Sequence, residues 1–133
     1  MSGPCDQGQI TLTVPAKQQM MLVIRLTTAG VLARAGLSMD AMDDMKMAAE
    51  EACATLIRSS GCEQLTVTYA VEERAFRLHA QTSACSCRDC LTGLTDEEIA
   101  VVRCVLLSLT DDVSLTFDDR CLRAIDLRKQ LPM

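Results

Sequence analysis

The sequence predicts an α+β fold: a two-layer α/β sandwich in which a mixed, mostly antiparallel sheet of about five strands carries three helices on one face. Three observations predict it. Five short segments alternate apolar and polar residues with a period of two, the pattern of half-buried strands. Three longer segments repeat their apolar residues with the helical period. The resulting order is β-α-α-β-β-α-β-β, which one sheet with all helices on one side accommodates.

The first strand is Gln9 to Val14, with Ile10, Leu12 and Val14 on one side and Pro15 as its stop. From Ala16 to Ala35 the apolar positions Met20, Leu22, Val23, Leu26, Ala29 and Val31 predict a helix, with Gly36 as its C-terminal cap. Ser38 is an N-cap for a second helix that reaches Ser59, with Asp40 near its positive end. Met42, Met45, Ala49, Cys53 and Leu56 form its core face. Leu65 to Val71 and Ala75 to Ala80 alternate around Glu72-Glu73-Arg74, which predicts a hairpin. Gln81 to Gly93 has no period and reads as a loop. Thr95 followed by Glu98 is a capping box opening a third helix that ends near Leu109, with Cys104 in its core. Val113 to Phe117 and Leu122 to Leu127 predict a second hairpin around Asp118-Asp119-Arg120.

Composition bounds the function. At 133 residues the chain is expected to be a single domain spanning residues 1–133, with residues 1–8 flexible. A net charge of −5 and no basic stripe argue against a nucleic-acid binder, which needs clustered Lys and Arg at the phosphates. Tyr69, Phe76 and Phe117 are too few to stack bases. Residues 1–8 lack the basic start and apolar run of a signal peptide, and no apolar run reaches membrane-spanning length. A soluble cytoplasmic protein is the expectation. Eight cysteines would suggest disulfides in a secreted chain; here they read as reduced, with Cys53 and Cys104 as small core side chains.

The segment from Asp43 to Ile57, which contains Glu50-Glu51-Ala52-Cys53-Ala54-Thr55, resembles the N-box helix of the anti-sigma-factor serine kinases. These kinases sit within the wider group of histidine-kinase and Hsp90-like ATPases. Val23-Ile24-Arg25-Leu26-Thr27 is similar to the family's first helix. Thr110-Asp111-Asp112-Val113-Ser114-Leu115-Thr116 is similar to its penultimate strand, and Arg123 to Leu131 to its last. The resemblance is collinear with the elements read above and covers almost the whole chain. It implies the histidine-kinase-like ATPase fold.

The resemblance also implies a nucleotide site, and the departures from it matter. In the family the N-box Glu is the general base and an Asn four residues later helps hold magnesium. Glu51 matches the Glu, and Thr55 takes the Asn position. Four residues apart, both lie on one helix face, away from Ala49 and Cys53, as a pocket lining would. The family's adenine-binding D-x-G-x-G falls on Thr82, Ala84 and Ser86, with no Asp and neither Gly. Its Gly-rich phosphate lid is replaced by Leu94-Thr95-Asp96-Glu97-Glu98, whose carboxylates repel phosphate. Residues 81–94 thus read as a degenerate nucleotide-site and lid loop. The expectation is that ATP and magnesium, the family's cofactors, are not bound and that kinase activity is absent. An active or weak serine kinase using Glu51 and Thr55 is the alternative.

Cys85, Cys87 and Cys90 make a C-x-C-x-x-C run, close enough to share zinc or an iron–sulfur centre, with His79, Cys62 or Cys121 as a fourth ligand. A reduced loop without a metal is the competing reading, and a metal- or redox-responsive regulator is the second alternative. His79 lies opposite Phe76 and Leu78 and has no nucleophile arranged around it. Arg25 matches an arginine with which the family's first helix contacts its protein partner. The resemblance therefore implies a regulatory protein-binding module, a homodimer whose partner is a sigma factor or an anti-anti-sigma factor.

Overall fold

The computed structural model describes residues 9–59, 63–83, 94–118 and 121–131. Strand β1 is Gln9–Pro15, and Pro15 ends it because proline supplies no ladder N–H. The chain then turns through bonds from Ala16 N to the Glu63 carbonyl (2.8 Å) and from Lys17 N to the Pro15 carbonyl (2.8 Å). A 3-10 turn over Gln18–Met20 leads into α1, Met21–Leu32. The first helix is therefore shorter than its apolar pattern at both ends. No side chain caps its start. Its last turn loosens toward Gly36, whose φ of 77° is the left-handed conformation glycine adopts without penalty.

Helix α2, Met39–Ser59, starts where predicted: Ser38 Oγ accepts from Ala41 N at 3.2 Å. It buries Met45, Ala48, Ala49, Ala52, Cys53, Thr55, Leu56 and Ser59. Three alanines on that face let the helix axis lie close to the sheet, and α2 touches α1, α3, β2, β3 and β5. Helix α3, Asp96–Leu109, carries the predicted capping box, with Thr95 Oγ1 accepting from Glu98 N and Glu98 Oε1 accepting from Thr95 N. Val102 and Leu106 are its buried residues, and Leu109 packs half-buried against the core. Cys104, expected in the core, is exposed. It lies two residues from Val102 and from Leu106, about 200° around the helix, and so faces outward.

Strands β2 (Gln64–Val71), β3 (Ala75–Thr82), β4 (Asp112–Asp118) and β5 (Cys121–Gln130) complete one sheet in the order β1-β2-β3-β5-β4. The mostly antiparallel sheet predicted from the sequence is antiparallel at every pairing. Leu65, Val67, Tyr69, Phe76, Leu78, Ala80, Ile125 and Leu127 face the helices and are buried. Gln81 and Thr82, read as the start of a loop, instead extend β3, pairing with Thr66 and Leu65.

A bulge interrupts the β4–β5 ladder. Thr116 pairs with Ala124 and Phe117 with Leu122, so Arg123 is the extra residue. The insertion resets the alternation and returns Leu122 to the core, where it is 2 % exposed. Behind the sheet, Thr28 of α1 donates to the Ile24 carbonyl (2.7 Å) and accepts from the Tyr69 hydroxyl (2.6 Å), fastening α1 to β2. Among the described residues no helix is long and apolar enough to cross a membrane.

Candidate functional site

Helix α2 carries Glu51 and Thr55, and its packing decides what each can reach. Glu51 and Thr55 do share a face: Thr55 Oγ1 donates to Glu51 Oε2 at 3.3 Å, one turn apart. Their surroundings differ from a simple pocket lining. Thr55 is 0 % exposed, because α2 is covered by α1, α3 and the sheet and leaves only a narrow open strip. Glu51 is half-buried and stands at the border of that strip.

The strip forms the floor of a groove between α1 and α2, about 570 Å³ in volume, lined among others by Arg25, Leu26, Met47, Glu50, Glu51 and Ala54. Arg25 crosses it. Its Nε donates to Glu50 Oε2 at 2.8 Å and its Nη2 to Glu50 Oε1 at 3.1 Å, a two-pronged pair that matches guanidinium to carboxylate geometry. Each partner stabilises the other's charged form: the hydrogen bond and charge of Glu50 raise the Arg25 pKa, and the bond from Arg25 holds Glu50 below the usual carboxylate range. Arg25 and Glu51 thus meet in one groove, which their separation of 26 positions did not suggest. Glu50 was not singled out in the sequence. The signal for it was its place one residue before Glu51, on the α2 edge that turns toward α1.

Around the groove the surface is apolar. Leu22 (56 % exposed), Val23, Leu26 (64 %) and Met47 (59 %) all stand in solvent. The cause is visible in α1, whose sequence M-L-V-I-R-L-T-T-A-G-V-L is apolar on nearly every side while only Met21, Ile24, Thr28, Val31 and Leu32 reach the core.

Thr82, in the position of the family's adenine-binding Asp, closes β3. It is 6 % exposed, and its hydroxyl donates to the Arg123 carbonyl at 3.4 Å. That carbonyl belongs to the bulge residue of β5, so Thr82 serves a backbone group that the irregular ladder frees. Ala84 and Ser86 lie outside the described residues, as do Cys62, Cys85, Cys87 and Cys90. Among the described residues no three His, Cys, Asp or Glu side chains cluster as metal ligands would. Cys121 is half-buried and free, and His79 bonds to Asp126 and Gln81 on the open face of the sheet.

No family model matches the chain. Curated relatives do match its sequence. The serine-protein kinase RsbW of Bacillus mycoides strain KBAB4 is 37% identical over 68 residues, covering 49% of this chain and 42% of that protein. RsbW of Bacillus cereus strain B4264 is 32% identical over 81 residues, covering 59% and 51%. RsbW of Bacillus cereus strain AH187 is 42% identical over 50 residues, covering 38% and 31%. Over these stretches the chain is similar to serine-protein kinases named RsbW. Among the described residues, the sheet of five antiparallel strands with three α-helices is consistent with the histidine-kinase-like ATPase fold that the resemblance implies. The chain spans about half the length of the curated relatives it matches.

Proposed function

We propose that this chain is an anti-sigma-factor-kinase-like regulatory protein-binding module without kinase activity, acting as a single cytoplasmic domain and as a homodimer. The α1–α2 face carries the reading. Leu26 and Met47 stand exposed in the lining of a groove crossed by the Arg25–Glu50 pair, and Leu22 and Val23 add exposed apolar surface on α1. Clustered apolar surface with a polar centre is the form of a protein contact rather than of an ordinary solvated helix. A sigma factor or an anti-anti-sigma factor is the partner, and Arg25 is the charged anchor of the contact.

Two hydrogen bonds support the loss of nucleotide chemistry. At the magnesium-ligand position, Thr55 is buried and donates its hydroxyl to Glu51. At the adenine position, Thr82 donates its hydroxyl to a backbone carbonyl. Both polar groups are committed inside the fold; Thr55 lacks the amide carbonyl of the family's Asn–Mg contact, and Thr82 lacks the carboxylate of its Asp–adenine contact. One observation favours the alternative of a weak ATP-dependent serine kinase: Glu51 keeps a partly open carboxylate at the general-base position. The reading of a zinc- or redox-responsive regulator rests on the spacing of Cys85, Cys87 and Cys90.

The test is a mixing experiment. The purified chain is combined with each sigma factor of its own genome and followed by size-exclusion chromatography. A stable complex that Arg25→Glu abolishes is the expected result. No complex with any sigma or anti-anti-sigma protein would overturn the reading.

A further inference from the structure

The face of the sheet turned away from the helices has its own chemistry. Side chains on it come from alternate residues, and the register sets them in rows across the strands. One row runs Gln9, Ala70, Arg77, Arg128, Asp112; the next includes Thr68, His79, Asp126 and Ser114. Thr68 and Ala70 are short, whereas Arg77, His79 and Arg128 are long, and the difference leaves a depression of about 400 Å³.

Arg77 and Arg128 are direct cross-strand partners. Like charges in that position repel unless something negative lies between them. Glu72 takes only the Nε of Arg77, at 2.8 Å. Among the described residues no carboxylate lies within ion-pair distance of Arg128, and neither the Arg128 guanidinium nor the terminal nitrogens of Arg77 make a hydrogen bond. The nearer acids are engaged elsewhere: Asp126 Oδ1 holds His79 Nδ1 at 2.6 Å, and Asp112 Oδ1 accepts from Val113 N at 3.0 Å.

From this geometry we infer that the depression binds a small dianionic oxyanion of the phosphate or sulfate class, gripped by Arg77 and Arg128. Planar guanidinium forks suit such an anion. His79 contributes charge rather than a donor, since both its nitrogens are already bonded, Nδ1 to Asp126 and Nε2 to Gln81 Oε1 at 3.1 Å. Partial burial pulls its pKa down, but the Asp126 and Gln81 bonds and the Asp126 charge outweigh this and leave the ring above its ordinary value. The groups facing it are Thr68 from β2, Arg77 and Gln81 from β3, and Asp126 and Arg128 from β5. Ser114 and Asp112 of β4 lie beyond them. Protonation of His79 makes the lining more positive, so binding tightens as pH falls.

His79 is the single histidine of the chain, so its imidazole resonances need no assignment. The test is a proton NMR titration of His79 in sodium sulfate and in sodium chloride of equal ionic strength, sulfate being a probe whose charge is constant over the range. Linkage requires the anion to raise the His79 pKa by as much as protonation tightens the anion: about one unit for about a tenfold gain in affinity. A rise of that order in sulfate, absent in Arg128→Ala and in Arg77→Ala, is expected. An unchanged pKa, or the same rise in both variants, would overturn the site. Removing one of two facing arginines relieves a repulsion, so both variants are expected to melt no lower than the parent in chloride.

Discussion

The bond between α1 and the sheet offers a prediction with two independent readouts. Tyr69→Phe keeps the buried ring against Phe76, whose centroid lies 6.3 Å away, and deletes only the hydroxyl that meets Thr28 Oγ1 at 2.6 Å. Thr28 keeps its own bond to the Ile24 carbonyl, so no donor is stranded. The cost at neutral pH is therefore one net buried hydrogen bond, about 1 kcal/mol, or about 3–5 °C in Tm for a chain of this size. The second readout is alkaline. Burial, ahead of the other influences, pushes the Tyr69 phenol from 10.0 up to about 12. The fold favours the neutral form, so this contribution is fully present below pH 10 and is lost as pH rises from 10 to about 12. A two-unit rise corresponds to about 2–3 kcal/mol. Cys53, raised by burial from 9.0 to about 12, acts in the same direction. Urea melts of parent and variant at neutral and alkaline pH should show the parent's advantage shrinking and then reversing. The single tyrosine lets phenolate absorbance report the folded pKa directly. A folded midpoint near 10, or a variant as stable as the parent at neutral pH, would refute the reasoning.

Other outcomes follow from the same structure. Leu106→Ala removes one of the two buried side chains of α3 and should cost about 2–5 kcal/mol in a urea melt; a loss below 1 kcal/mol would mean that α3 is held mainly by other contacts. Thr95→Ala breaks the capping box and should cost about 1 kcal/mol. The bonds from Thr95 hold Glu98 below its usual pKa, so the cap is intact above the ordinary glutamate range and weakens as pH falls through it; an acid-side melt series checks this. Asp126→Asn should lower the His79 pKa seen by NMR, because it removes the partner that holds the ring above its ordinary value. Any stability due to that pair is present at low pH and lost as pH rises through the folded pKa.

Much of the fold could be read from local pattern because local pattern is what burial selects. Alternation located β2 and β3, and Ser38, Thr95 and Glu98 marked helix starts through bonds spanning three residues. The end of β3 was missed because Gln81 and Thr82 are polar; pairing with β2 and β5 makes them strand, which no local propensity records. The bulge at Arg123 was equally hidden, since it is a property of two strands counted against each other. Cys104 looked like core because α3 is apolar on more sides than it buries. The pairing of Glu51 with Thr55 was legible from its four-residue spacing. The Arg25–Glu50 pair was not, because it depends on how α1 lies on α2, and the His79–Asp126 pair spans 47 positions.

The loss of nucleotide binding is the central claim, and a thermal melt of the metal-stripped chain with and without millimolar ATP and magnesium tests it most directly. A ligand at a hundred times its dissociation constant adds about 2.7 kcal/mol, a shift of several degrees for 133 residues. The account predicts no shift, with Glu51→Ala and the parent indistinguishable in the presence of ATP. A clear rise with ATP and magnesium, abolished by Glu51→Ala, would contradict it and make Glu51 and Thr55 working residues of a kinase.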